Sequence, residues 1–197
     1  NLIHYATSFK VDVFVATPED VEAERDIIGS LIEPALREGR VMWERSPRLP
    51  SEEVWDMPPW RERVDAVVRD WVAKAELDME ALELLFPAGD RLNDVVCFHA
   101  AQAIEKYLKA ALVSAQIRFT RTHNVKKLLD RLPAGLEVSL DEQLQKKFTA
   151  WATETRYPGR RAKPRPPATR SETEAAVAAA RAVRATIRSL LSPAALG

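Results

Sequence analysis

From Arg61 onward the apolar positions recur at helical spacing. Val64, Val68, Trp71, Ala75, Met79, Leu82 and Phe86 fall within about 80° of one another on a wheel of 100° per residue. That stripe predicts a long amphipathic helix, ended by the "FPAGD" turn. A second long helix is predicted over roughly 92–115 and a short one through Leu129, before "LPAG". Another covers about 141–153. The last spans about 171–191, with Ala176, Ala180, Val183, Ile187 and Leu190 along one side. Ser171 followed by Glu174 has the spacing of a capping box.

The first 60 residues read differently. Val11, Val13 and Val15 alternate with Asp12 and Phe14, which predicts a short strand over 11–17. Thr17 is placed to cap a helix that opens with Pro18. Glu19 and Asp20 then suit the positive end of its dipole. This helix is expected to run to about Ile28. A shorter one over Ile32–Glu38 stops at Gly39, and 40–44 reads as another short strand. Residues 46–60 contain four prolines and no helical period, the pattern of a linker. The expected architecture is mainly α. A small α/β segment (1–45) and a Pro-rich linker (46–60) lead into a bundle of about five helices (61–197).

Composition narrows this picture. Hydrophobic residues make up 46% of 197, enough for a core. Cys97 is the single cysteine, so no disulfide forms within the chain, and a reducing, cytoplasmic compartment is expected. One cysteine and three scattered histidines offer no zinc-ligand spacing; no metal or other cofactor is expected. No apolar run approaches the roughly 18 residues of a membrane span. The zero net charge hides an asymmetry. Residues 1–60 hold six basic and twelve acidic side chains, and residues 61–197 hold twenty-three and seventeen. The basic part is the better candidate for a nucleic-acid or nucleotide partner.

Three stretches carry candidate chemistry. In "FHAAQAIEKYLKA" (98–110), His99, Gln102 and Lys106 lie within about 60° of each other, opposite an apolar side of Val96, Ala100, Ile104, Tyr107, Leu108, Ala111, Leu112 and Ala115. Glu105 and Lys109 sit at the edge of that polar strip. The strip is either a solvated face or a binding surface. In "RFTRTHNVKKLLD" (118–130), four residues separate Arg118 from His123. An arginine that holds phosphate and a histidine that moves a proton suit metal-independent RNA cleavage. The alternative is that Thr122, His123 and Asn124 cap the following helix. In "RYPGRRAKPRPPATR" (156–170), Arg156, Arg160, Arg161, Lys163, Arg165 and Arg170 occur without an acid. Such a loop attracts a phosphate backbone or merely solubilises, and Tyr157 can stack on a base or pack.

Taken together, "DWVAKAELDMEAL", "FHAAQAIEKYLKAAL", "RTHNVKKLLD", "ETRYPG" and "ATRSETEAA" resemble, in order and spacing, the HEPN domain (higher eukaryotes and prokaryotes nucleotide-binding) over about residues 62–192. The resemblance implies a bundle of four or five helices that dimerises. It also implies RNA or nucleotide as partner, in many members through ribonuclease activity of a toxin–antitoxin or defence type. In such members an Arg-x4–6-His motif meets its copy across the dimer, and Arg118 and His123 would be that motif here. Other members lack activity and serve as nucleotide-binding or dimerisation modules. His99, Gln102, Lys106, Arg156, Tyr157, Arg160 and Arg161 would then contribute to binding. Residues 1–45 resemble the last strand and helices of a minimal nucleotidyltransferase, a fold often encoded beside or fused to a HEPN domain, which implies a nucleotidyltransferase as a further partner. Asp12 would match its third metal-binding carboxylate. The Gly-Ser turn and Asp-x-Asp pair that precede it in that fold do not occur in this sequence. One carboxylate does not hold two magnesium ions, so nucleotidyl transfer is not expected of this chain.

Overall fold

The computed structural model describes residues 15–40, 59–120, 122–154 and 166–197. They form α1 (Pro18–Glu24), α2 (Ile32–Glu38), α3 (Trp60–Leu85), α4 (Asn93–Ser114), α5 (Val125–Leu129), α6 (Glu142–Glu154), α7 (Arg170–Leu190) and α8 (Pro193–Leu196). Two 3-10 turns, Phe86–Ala88 and Asp90–Leu92, join α3 to α4. The fold is mainly α, with no strand among the described residues. Of the two short strands expected, 11–14 and 41–44 lie outside the described residues, as does the linker over 46–58.

The reason for a bundle is visible in α4. Val96, Cys97, Ala100, Ala101, Ala103, Ile104, Tyr107, Leu108, Ala110, Leu112 and Val113 are all buried, so the helix is apolar nearly all round, as a central element must be. Its alanines let neighbours approach on several sides. α3 runs along it, α7 and α6 pack on other faces, and α5 closes one end. Phe148 and Trp151 of α6 complete the core, edge to face at 5.5 Å between ring centres.

Several expectations need correction. Ala115 is exposed, because it lies beyond the last turn of α4. Leu190 is 54% exposed; the chain leaves α7 at Leu191 in an extended conformation, and that residue turns inward instead. The capping box of α7 is Thr169 with Glu172, not Ser171 with Glu174. The Thr169 side chain accepts from the Glu172 amide, and the Glu172 carboxylate accepts from the Thr169 amide at 2.7 Å. The first helix ends at Glu24 rather than near Ile28. Its end is set by Ile27, which is fully buried in the main hydrophobic cluster. The Thr17 cap of that helix forms as expected, as a full capping box with Asp20.

Residues 25–31 fasten the N-terminal segment to the bundle. Beside Ile27, the Ile28 amide donates to Gln116 Oε1 (3.3 Å) and Trp71 Nε1 donates to the Gly29 carbonyl (3.1 Å). Gly29 has φ +89°, and a Cβ there would lie 2.1 Å from Val113 Cγ2. Only glycine fits this close crossing.

Candidate functional site

Two polar clusters flank α4. The first contains the expected strip. His99 Nδ1 lies 2.9 Å from Asp78 Oδ1, and Lys106 Nζ donates to Asp78 Oδ2 (2.5 Å) and to Gln102 Oε1 (3.2 Å). Asp78 comes from α3, so the strip clasps two helices, while the His99 and Lys106 side chains stay 25% and 21% exposed. Burial by itself would raise the Asp78 carboxyl, but the hydrogen bonds from His99 and Lys106 outweigh it and hold the group below the usual carboxylate range.

The second cluster centres on Glu105, only 4% exposed. Lys109, one turn on, donates to its Oε1 (2.7 Å), and His123 Nδ1 lies 3.0 Å from its Oε2. The Lys109 ammonium stands 5.2 Å from the centre of the Trp71 ring and 5.9 Å from that of Phe119, a cation–π setting. Asn124 caps α5 by accepting from the Lys127 amide (3.0 Å). His123, just ahead of that cap, is thereby left to reach back to Glu105. A carboxylate on Nδ1 fixes the ring and its tautomer and directs the other nitrogen outward. The His123 side chain is 48% exposed.

Arg118 follows the end of α4. Its guanidinium donates to Glu33 Oε1 of α2 at 3.0 Å. Arg118 and His123 line one cleft of about 770 Å³, whose walls include Trp71, Lys109 and Phe119 on the bundle and Glu33 and Arg37 on α2. The structure therefore brings together the two residues expected from their spacing. It adds Glu105, Lys109 and Glu33, which the sequence reading had not placed in a site. A signal for the first two exists in retrospect: Glu followed by Lys at i+4 is the spacing of a helical ion pair. No local signal points to Glu33, 85 positions from its partner.

Several cations elsewhere are paired. Arg184 and Arg188 both bond Glu76 across α3 and α7, and Arg181 bonds Glu83. Burial, then the adjoining Glu76 carboxylate, pushes the Tyr107 phenol well above its ordinary range. Arg170 donates to the Phe86 carbonyl (3.1 Å) and lies over its ring, so it is a structural residue. Arg156, Tyr157, Arg160, Arg161, Lys163, Arg165 and Asp12 lie outside the described residues. Among the described residues no cluster of His, Cys, Asp and Glu could hold a metal ion, and no helix is long and apolar enough to cross a membrane.

The HEPN domain family model matches residues 68–190, a stretch that contains Asp78, Glu105, Lys109, Arg118 and His123 but not Glu33. The crystal structure of TT1696 from Thermus thermophilus is similar at 30% identity, with a TM-score of 0.50 over 63% of this chain and 98% of that one. No curated protein matches the chain.

Proposed function

The chain belongs to the HEPN domain family, and we propose that it binds RNA in the cleft between α2 and the bundle and cuts it without a metal ion. The observation that carries this reading is the meeting of Arg118 and His123 on one cleft, with His123 held by a buried carboxylate. In the proposed step, Nε2 of His123 takes the proton of a 2′-hydroxyl. The freed oxygen bonds to the adjacent phosphorus and the bond to the 5′-oxygen breaks. The leaving oxygen takes a proton from water, so the products are a 2′,3′-cyclic phosphate and a 5′-hydroxyl. Arg118 steadies the charge that builds on the phosphate. Glu105 does not touch substrate; it positions His123. Arg156, Arg160 and Arg161 would extend the contact along the backbone and Tyr157 would stack on a base.

The test is labelled tRNA incubated with the purified chain in a chelator, beside an Arg118→Ala, His123→Ala double variant. Cleavage by the parent alone, leaving cyclic phosphate ends, is the expected result. Equal cleavage by both, or none, rejects the site.

A second reading is favoured by a different observation. Arg118 is already paired with Glu33, and the cleft has the size of sites that take nucleotide-sized ligands, a few hundred to about 1,000 Å³. On this reading the protein is a non-catalytic nucleotide-binding or dimerisation module beside a nucleotidyltransferase. The likeness of residues 1–45 to the end of such an enzyme supports it. Heat on titration with ATP, abolished by Arg118→Ala, would favour it over cleavage. Either reading fits a homodimer, for which the exposed Leu77 and Leu84 of α3 offer apolar surface; light scattering reports the mass.

A further inference from the structure

The cleft contains an anion of its own. Glu33 is 6% exposed and lies between Arg118 (3.0 Å) and Arg37 (3.4 Å). A carboxylate on a guanidinium occupies the same donors that a phosphate would use. We propose that Glu33 is a built-in competitor for the phosphate position on Arg118, and that α2 is a strap which RNA or nucleotide displaces. This rests on the reading of the cleft as a phosphate-binding site.

The attachment of α2 suits such a device. The chain before it is rooted: Ile27 sits in the main cluster and Gly29 makes the close crossing over Val113. α2 itself is held more lightly. Only Ile32 and Glu33 of its seven residues are buried, and Ile32 is not part of the main hydrophobic cluster. Leu31 and Leu36, at its start and on its outer side, are 56% and 52% exposed. A helix of this length is not stable alone in water, so it persists through what it touches. Ser30 Oγ accepts from the Glu33 amide (3.1 Å), which presents the acid at the start of the helix. Arg118, by contrast, is 59% exposed, so an outside anion can reach it. A rooted hinge thus carries a lightly held acid onto Arg118, a cleft arginine that projects from the bundle.

The test uses a fluorescent 2′-O-methyl oligoribonucleotide, which lacks a free 2′-hydroxyl and is bound without being cut. Anisotropy titrations compare the full chain with Glu33→Gln, Glu22→Gln and Glu33→Gln combined with Arg118→Ala. Glu22 is an exposed acid of the same segment, paired with Arg25 and away from the cleft. Glu33→Gln is expected to bind about fivefold tighter, the size of one partly exposed ion pair. Glu22→Gln is expected to bind as the parent does, and the gain is lost in the double variant. In the unaltered chain, the amides of residues 35–38 should exchange faster with solvent when the oligonucleotide is bound. The proposal is overturned if Glu33→Gln binds no tighter, if Glu22→Gln gains as much, if neither protein binds, or if exchange in α2 is unchanged. Cleavage of unmodified RNA is scored separately. Tighter Arg118-dependent binding with no cutting by either protein keeps the strap and removes the ribonuclease reading. Cutting by the parent with no gain in Glu33→Gln keeps the ribonuclease and removes the strap.

Discussion

Asp78 and Glu105 are both largely buried carboxylates at α4, and each has its two oxygens engaged by a histidine and a lysine. They differ in where the histidine comes from. His99 is on α4 itself and faces α3, so the Asp78 cluster is closed between two rigid helices. His123 is on the short connection before α5, and its outer ring nitrogen makes no hydrogen bond among the described residues while the ring borders the cleft. The same chemistry is therefore a clasp in one place and an oriented, accessible imidazole in the other. What separates them is the rigidity and openness of the element opposite α4, not residue type.

The largest expected effect is on the open cluster. Glu105→Ala leaves the Lys109 ammonium buried beneath Trp71 and Phe119 without its carboxylate. Losing one partner of a buried pair costs about 3–5 kcal/mol. It also frees His123, so any His123-dependent activity should disappear together with that stability. Urea unfolding and RNA cleavage measured on one preparation check both. Stability near that of the parent would mean that water, not protein, surrounds Lys109.

Next is the roof over the open cluster. Gly29→Ala forces an alanine into a left-handed conformation and drives its Cβ into Val113. The expected cost is about 2 kcal/mol from strain and overpacking. It should be confined to residues 18–39, because the segment can lift away while the bundle stays folded. Hydrogen exchange should show lost protection there and none at Asp78 or His99. Loss of protection throughout α4 would show that Ile27 is essential to the whole core.

Third is the closed cluster. Asp78→Ala removes the acceptor of both His99 and Lys106, at about 1–2 kcal/mol for hydrogen-bonded groups that retain some access to water. Ligand binding in the cleft should not change. If it does, the two clusters communicate through α4 and the contrast between them is false.

These contrasts also explain what the sequence could and could not tell. Helix positions were legible because apolar spacing is local: α3, α4, α6 and α7 lie within a residue or two of their predicted bounds. The partners of the polar strip are not legible on a helical wheel, which assumes one buried side. α4 has neighbours on several sides, so Glu105 and Lys109, placed at the edge of the wheel, are the more buried pair. The cap of α7 was ambiguous in itself: "TRSETE" holds two overlapping capping boxes. The first is used where the neighbouring backbone is also held, with the Ala168 amide donating to Asp94 Oδ1 (3.0 Å). Arg118 and His123 could be named from their spacing, but that they share a cleft depends on α2, whose contact with Arg118 leaves no trace in either local sequence.

The smallest expected effect is a difference between two pH curves. The Asp78 carboxyl is held below its usual value in the folded chain, against the opposing push of burial, by His99 and Lys106. A lowered folded value means that its contribution is fully present above the unfolded value, near pH 4, and is lost as pH falls through the folded one. Other carboxyls fall in the same range: hydrogen bonds from the Thr169 amide and Lys147 bring Glu172 down to about 2, the Tyr107 hydroxyl and then Arg184 and Arg188 lower Glu76 against its burial, and Arg181 lowers Glu83. The absolute stability of the protein should therefore decline in acid for several reasons at once. Subtracting the curve of Asp78→Asn from that of the parent removes the shared ones. The remaining gap should close progressively as pH falls below about 4. A gap that persists at pH 3 would mean that the clasp holds by packing and neutral hydrogen bonds, in which case charge does not distinguish it from the cluster around Glu105.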